Sequence, residues 1–134
     1  EENVRKGYKV FSIGEMGIFN TTSSSCILGT FNHWNAIEVT GRGTNISDER
    51  LVHKVEVVQK AMDVNHPDPK DGLDVLAKVG GFEFGCITGV ILGAAANHAM
   101  TIIDGFNTTA SAFIAKALSP QVSDYLMVSH LSLE

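Results

Sequence analysis

The sequence predicts an α/β fold: an open, largely parallel sheet with helices on both faces, Rossmann-like in arrangement and incomplete. Three short apolar runs, at residues 10–13, 100–103 and 125–128, have the length and composition of buried strands. Longer segments with helical spacing of apolar residues separate them. Strands that alternate with helices are typical of a parallel sheet, because parallel neighbours need a crossover connection.

Composition indicates one globular domain over residues 1–134, with 44% apolar and 19% charged residues. The net charge is −5 and the basic residues are scattered, which argues against nucleic acid or an anionic membrane as a partner. The longest apolar run, at residues 84–96, is too short to cross a bilayer, so we expect a buried helix there.

The cysteines and histidines indicate no metal site and no disulfide. Cys26 and Cys86 lie far apart in apolar surroundings, so we expect two buried free thiols. No histidines have the spacing of a ligand pair, and we expect neither a metal nor another cofactor. Free thiols and the lack of a visible signal peptide favour a cytoplasmic protein.

Both ends of the chain predict a fragment of a longer protein. Residues 1–6 have the character of the last turn of a helix, which Gly7 would end as the C′ residue. The chain has no initial Met, and it stops shortly after the last strand-like run.

The first predicted strand leads into a glycine turn at residues 14–17. We expect the next helix to begin after this turn with Asn20 as its N-cap. A strand that ends at glycines before a helix leaves backbone N–H groups that suit an anion, with Glu15 beside them. The alternative is an ordinary turn that needs glycine for a positive φ, and this stretch alone favours that alternative.

The middle of the chain predicts a short strand and an amphipathic helix. Residues 36–40 are a strand candidate, followed by the Gly-x-Gly loop of Gly41 and Gly43, a weak half of a dinucleotide fingerprint. Ser47 or Asp48 is expected to cap a helix whose apolar stripe excludes Lys54. Without other evidence Lys54 is a solvated lysine.

Two helices meet at a pair of glycines. Asp68 is expected to be the N-cap of a helix with Pro69 at its first position, which ends at Gly80. The next helix begins near Gly81 and is apolar nearly all round. The glycine pair either lets the backbone approach a ligand or lets two helices cross closely, and packing is the favoured interpretation.

A carboxylate follows the second predicted strand. Asp104 stands at its C-terminal edge, before Gly105, which is the usual place for ligand groups in an open α/β sheet. The alternative for Asp104 is a turn former. Asn107 is expected to cap the helix that follows.

Four segments together resemble the nicotinate-nucleotide–dimethylbenzimidazole phosphoribosyltransferase family. They are Gly-Glu-Met-Gly-Ile-Phe-Asn-Thr-Thr at 14–22, Asp-Val-Leu-Ala-Lys-Val-Gly-Gly-Phe-Glu at 74–83, Asp-Gly-Phe at 104–106, and Asp-Tyr-Leu at 124–126 with Ser-His-Leu-Ser at 129–132. They occur in the family's order and span nearly the whole chain, but correspond only to a middle-to-late portion of the family's longer chain.

The resemblance implies a pentosyl transfer in the assembly of the nucleotide loop of cobalamin. Nicotinate mononucleotide gives its phosphoribosyl group to 5,6-dimethylbenzimidazole, forming α-ribazole 5′-phosphate and nicotinate. The implied partners are these small molecules and a second copy of the chain, as a homo-oligomer and most simply a dimer. The alternative is a non-catalytic α/β module that binds a nucleotide or phosphate.

The resemblance also implies which residues bind the substrate. Glu15 corresponds to a carboxylate that faces the nucleotide site, and Lys54 to a lysine near the 5′-phosphate. The full set of implied substrate-binding residues is Glu15, Gly17, Gly41, Gly43, Lys54, Gly80, Gly81 and Asp104. Phe19 stands where many relatives have a small residue, which is expected to reshape the base pocket.

No catalytic residue is assigned within residues 1–134. The family's general base is a glutamate in a downstream segment of Gly-Glu-Gly-Ser-Gly type, which this sequence does not contain. Glu134 corresponds at best to an earlier glutamate and is not assigned as the base. The isolated fragment is therefore expected to be inactive.

Overall fold

The computed structural model describes residues 1–43 and 45–130. The interpretation of Glu134 and the 131–132 part of the resemblance lie outside these residues. The elements in chain order are α1 (Glu2–Arg5), β1 (Val10–Ile13), α2 (Asn20–Asn32), α3 (Ala36–Val39), α4 (Asp48–Asn65), α5 (Gly72–Val79), α6 (Phe82–Ala96), β2 (Met100–Ile103), α7 (Phe106–Leu118), a 3₁₀ helix (Pro120–Tyr125) and β3 (Leu126–Val128).

The three strands form one parallel sheet in the order β1-β2-β3. Val10 lies opposite Met100, and Ile103 lies opposite both Ile13 and Val128. Helices α2 to α6 make the crossover from β1 to β2, and α7 with the 3₁₀ helix makes the next one. The predicted α/β class with an open parallel sheet is confirmed.

The core has two parts. On the sheet, Ile13 and Ile103 pack with buried residues of the following helices, namely Ile87, Ile91, Ala112, Ala115 and Val122. A second cluster fills the space between α2, α4, α5, α6 and α7, with Ile27, Val58, Val75, Phe84 and Ile114 fully buried. Residues of both α2 and α7 belong to the second cluster, so the two helices lie side by side.

The strand predicted at residues 36–40 is wrong, because this segment forms α3. The Asn35 side chain accepts a hydrogen bond from the Glu38 backbone N–H, and the Glu38 carboxylate accepts one from the Asn35 N–H. This capping box satisfies two N–H groups at the start of a short helix. It outweighs the strand preference of the β-branched residues in the segment.

The predicted start of α5 is also wrong. Asp68 accepts a hydrogen bond from the Lys70 N–H and forms a turn rather than a cap. Asp71 is the N-cap of α5, because its side chain accepts from the N–H groups of Leu73 and Asp74. Ser47, in contrast, is confirmed as the cap of α4, with its hydroxyl accepting from the Arg50 N–H.

Asn20 and Asn107 are not N-caps, contrary to the sequence prediction. Both lie inside the first turn of their helices, and the N-cap positions are taken by Phe19 and Gly105. Phe19 has a φ of 67° and Gly105 a φ of 86°, so both adopt positive φ values. The two asparagine side chains are thereby available for contacts with other parts of the chain.

The two cysteines differ in environment. Cys26 is buried in the helical cluster, as predicted, but the prediction of a buried Cys86 is wrong because it is exposed on α6. The exposed side of α6 also carries Gly89 and Gly93, where an added Cβ would meet nothing within 4 Å. Although the sequence of α6 is apolar nearly all round, one side of the helix is therefore exposed.

We expect a thiol reagent to distinguish the two cysteines. Burial raises the pKa of the Cys26 thiol to about 11. Since only the thiolate reacts, iodoacetamide at about pH 8 should alkylate Cys86 and spare Cys26 in the folded chain. Peptide mass spectrometry reports the labelled residue, with denatured chain as the control in which both react. Rapid labelling of Cys26 in folded chain would contradict the buried position.

Exposed apolar side chains also include Phe82, which is 99% exposed, and Val90 on α6. Self-association through such surfaces stays a prediction. In the part of the chain that the structure describes, no helix has both the length and the apolar content needed to span a membrane.

Candidate functional site

The site lies where β1 and β2 end. The turns that leave these strands lead into α2 and α7, so the N-termini of both helices lie at this edge of the sheet. The first N–H groups of a helix have no partner within it, and the helix dipole makes that end positive. Because α2 and α7 pack together, their two positive ends are neighbours.

Glu15 is held between these two helices. Its Oε2 accepts a hydrogen bond of 2.5 Å from Nδ2 of Asn20 on α2, and its Oε1 accepts one of 2.5 Å from Nδ2 of Asn107 on α7. Asn107 Nδ2 also donates to Asn20 Oδ1 at 3.0 Å. Both asparagines are buried, whereas Glu15 is partly exposed. The carboxylate is therefore held by the two asparagines and remains partly exposed to solvent.

Ser24 completes the polar group around Glu15. Its hydroxyl is fully buried and donates to Asn107 Oδ1 at 2.5 Å. The Asn107 amide oxygen thus accepts from Ser24, and the amide nitrogen donates to Glu15 and Asn20. These partners define the orientation of the amide. We call Glu15, Asn20, Asn107 and Ser24 the carboxylate network.

Gly17 is in contact with this network. A Cβ added at Gly17 would lie 2.1 Å from Asn20 Nδ2 and 3.0 Å from Glu15 Oε2. Real Cβ atoms do not approach an amide nitrogen so closely, so glycine is required at this position for the Asn20 amide to reach Glu15.

Lys54 also contacts the first turn of α2. Its Nζ donates to the Gly41 carbonyl oxygen at 2.9 Å and to Thr21 Oγ1 at 3.0 Å. An added Cβ at Gly43, whose φ is 57°, would lie 3.5 Å from both Lys54 Nζ and Thr21 Oγ1. Lys54 is therefore held beside the glycine loop and the helix terminus. Solvation alone does not describe its environment.

The structure thus brings five of the predicted site residues to one helix terminus. Glu15 and Gly17 contact Asn20, the first residue of α2. Lys54 contacts Thr21, the next residue, and lies beside Gly41 and Gly43. Asn20 and Thr21 are consecutive residues of α2. A cation and an oriented carboxylate therefore flank the same first turn, an arrangement that suits a ligand with an anionic group and hydroxyl groups.

Asp104 lies at the C-terminal end of β2 with partners of its own. Its Oδ1 accepts a hydrogen bond of 2.9 Å from Ser129 Oγ and lies 3.2 Å from His130 Nδ1. Among the described residues, the side-chain contacts of Asp104 tie it to the segment after β3 and not to the carboxylate network. Its place at the sheet edge is nevertheless the predicted one.

Gly80 and Gly81 form the junction between α5 and α6. Because α6 leads directly into β2, its first residue lies toward the same end of the sheet as Asp104. An added Cβ at Gly80 would lie 2.5 Å from the Leu76 carbonyl oxygen, so close packing alone requires glycine there. An added Cβ at Gly81 would lie 2.7 Å from Glu83 Oε2, so the atoms nearest to both glycines belong to residues close in the chain.

A cavity of about 450 Å³ lies beside the glycine loop. Its lining includes Gly41 and the aromatic residues Trp34, Phe106 and Phe113. Phe106 precedes Asn107 in α7, so the cavity adjoins both halves of the site. No cluster of three or more His, Cys, Asp or Glu suited to a metal ion occurs within residues 1–43 and 45–130.

Ser24 and Thr21 were missed as site residues by the sequence analysis, and Asn20 and Asn107 were assigned a different role. The chain distance from Glu15 to Asn107 is 92 residues, so no local pattern joins them. The signal available was the pair of asparagines at the starts of two helices, each following a glycine turn.

Comparisons with known proteins agree with this architecture. A family model described as phosphoribosyltransferase, DBI_PRT, matches residues 1–134. A nicotinate-nucleotide–dimethylbenzimidazole phosphoribosyltransferase of Clostridioides difficile (strain 630) is 49% identical over 134 residues, which is 100% of this chain and 38% of that protein. The enzyme of the same name from Syntrophotalea carbinolica is 53% identical over 125 residues, 93% of this chain and 35% of that protein.

A solved structure has the same fold. The crystal structure of CobT from Thermus thermophilus superposes with a TM-score of 0.89 at 32% identity, over 97% of this chain and 39% of that chain. The chain thus spans well under half the length of these relatives. Its full-length match to the family model is decisive: the chain belongs to the DBI_PRT phosphoribosyltransferase family.

Proposed function

We propose that this chain holds the phosphoribosyl group of nicotinate mononucleotide, and that a chain of its relatives' length transfers that group to 5,6-dimethylbenzimidazole. One observation carries the proposal. Lys54 and Glu15 flank the same first turn of α2 through the consecutive residues Thr21 and Asn20. This pairs a phosphate-binding cation with an acceptor for sugar hydroxyls.

The 5′-phosphate is assigned to Lys54 and the N-terminus of α2. A dianionic phosphate gains from the positive helix end, from unpaired N–H groups and from the lysine cation. Gly41 and Gly43 support this role by their position. The Gly41 carbonyl oxygen accepts from Lys54 Nζ, and a Cβ added at Gly43 would lie 3.5 Å from the same atom.

The ribose is assigned to Glu15. A carboxylate at the end of a strand is a common acceptor for ribose hydroxyls. It also favours the positive charge that develops at the anomeric carbon as the bond to nicotinate breaks. The electron pair of that bond leaves on the nicotinate nitrogen, and a nitrogen lone pair of the incoming base forms the new bond.

The incoming base must also lose a proton. The family resemblance implies a general base in a glycine-rich segment, and residues 1–134 do not contain such a segment. Glu15 is therefore proposed to bind and stabilise, and the chain is proposed to bind its substrate without turnover. The alternative, a non-catalytic module that binds a nucleotide, makes the same prediction for the 134-residue chain. The two hypotheses differ in the turnover that they predict for a longer chain.

Calorimetry and a turnover assay test this proposal together. We expect the 134-residue chain to bind nicotinate mononucleotide in a one-to-one ratio. On addition of dimethylbenzimidazole, chromatography should detect no released nicotinate, while a chain of the relatives' length containing these residues should release it. No binding would contradict the proposed site. Efficient release by the 134 residues would contradict the assignment of the base to another segment.

A further inference from the structure

We propose that Asn20, Asn107 and Ser24 are positioning residues, which hold the Glu15 carboxylate in a single orientation for the ribose hydroxyls. This inference rests on the proposed function and adds a role for residues that do not themselves need to touch the substrate. The closed set of hydrogen bonds in the carboxylate network supports it.

The hydrogen bonds form a ring. Glu15 accepts from both asparagines, and Asn107 donates its second hydrogen to Asn20. Rotation of the carboxylate breaks at least one of its two bonds to buried amides, and loss of the bond from Asn20 removes the acceptor that its amide nitrogen has in Glu15. A buried amide that loses its acceptor is desolvated without compensation, which favours the observed orientation of the carboxylate.

Glu15 sets the orientation of the Asn107 amide, and Ser24 supports it. The carboxylate can only accept, so the amide nitrogen faces Glu15, and the Ser24 hydroxyl donates to the amide oxygen. A flipped Asn107 amide would place an oxygen against the carboxylate and a nitrogen against the serine. Ser24 follows Asn20 by one helical turn, so the same face of α2 supplies two members of the network.

The network holds the Glu15 carboxylate with uncharged donors. Asn20, Asn107 and Ser24 carry no charge, and among the described residues their side chains donate to Glu15 or to one another. Lys54 and Asp104, the charged site residues at this end of the sheet, have partners elsewhere. The hydrogen bonds found on the Glu15 carboxylate therefore come from uncharged amides.

Asn107→Asp is the sharpest test, because it keeps the shape and replaces the donor by an oxygen. At about pH 7.5 two carboxylates would face each other, and we expect the dissociation constant for nicotinate mononucleotide to rise by about tenfold or more. At about pH 5 the pair can share one proton, whose hydrogen bond restores the geometry, so affinity should return to within about threefold of the wild type.

Asn65→Asp is the matched control. Asn65 is exposed at the end of α4, and its amide donates to the Ala61 carbonyl oxygen. The same change in charge there should leave affinity unchanged at both pH values. If Asn107 has only a structural role, Asn107→Asp would lower the thermal stability of the chain, and its affinity for nicotinate mononucleotide would not recover at about pH 5. An Asn107→Asp chain that binds as tightly as wild type at pH 7.5 would overturn the proposal.

Two measurements keep the test decisive if that variant fails to fold. Ser24→Ala should weaken binding by about threefold, since Asn107 loses its orienting donor. In the wild-type chain without ligand, NMR should show the Asn107 side-chain amide exchanging with water far more slowly than that of Asn65. Equal exchange rates would overturn the network whether or not nicotinate mononucleotide binds, whereas slow exchange without wild-type binding would count against the proposed function alone.

Discussion

Lys54→Met is expected to raise the dissociation constant for nicotinate mononucleotide by about 100-fold. Hydrogen bonds to a charged partner contribute about 1.5–3 kcal/mol, which corresponds to about tenfold to 150-fold in affinity. Methionine keeps the aliphatic length of the side chain, so the change removes the cation rather than the packing. Isothermal titration calorimetry at fixed ionic strength gives the affinity.

Lys60→Met is the control for this prediction. Lys60 lies on the same helix as Lys54 but is exposed at the surface. Its removal changes the net charge equally and should alter affinity by less than about twofold, because exposed charges are well screened. An equal loss in both variants would show that net charge, and not a phosphate contact at Lys54, governs binding.

Gly17→Ala should weaken nicotinate mononucleotide binding by about 30-fold to 100-fold. The new Cβ would lie 2.1 Å from Asn20 Nδ2, so the amide must leave Glu15. The carboxylate then loses one of its two donors and its fixed orientation. Gly17 has no positive φ, so the effect comes from the clash and not from backbone strain.

Gly14→Ala is the matched control within the same turn. An added Cβ at Gly14 meets nothing within 4 Å, and its φ is not positive. Binding and melting temperature should both stay close to wild type. If Gly17→Ala binds as tightly as Gly14→Ala, the contact of Gly17 with the carboxylate network has no role in recognition.

Long or well-capped elements were predictable from the sequence. The cap at Ser47 and the stripe of apolar residues predicted α4 correctly, because many residues contribute to one periodic signal. The strand β2 was also predicted with its observed bounds. Short elements were not: α3 depends on a capping box between Asn35 and Glu38, and its few residues carry no periodicity.

The sequence predicted individual residues of the site but not the contacts between them. Glu15 and Lys54 were singled out by resemblance, but the sequence alone favoured a structural turn and a solvated lysine. Asn20 and Asn107 have the local signal of N-caps, and a tertiary contact with Glu15 outweighs it. Such contacts join residues from distant parts of the chain, so they require the packing of α2 against α7 to be known.

The most direct measurement is a crystal structure of the chain with nicotinate mononucleotide. We expect the 5′-phosphate to lie within hydrogen-bond distance of Lys54 Nζ and the first N–H groups of α2, with a ribose hydroxyl on the Glu15 carboxylate. A phosphate bound instead at the Gly80–Gly81 start of α6, with no ligand atom in contact with Glu15 or Lys54, would contradict the proposed site.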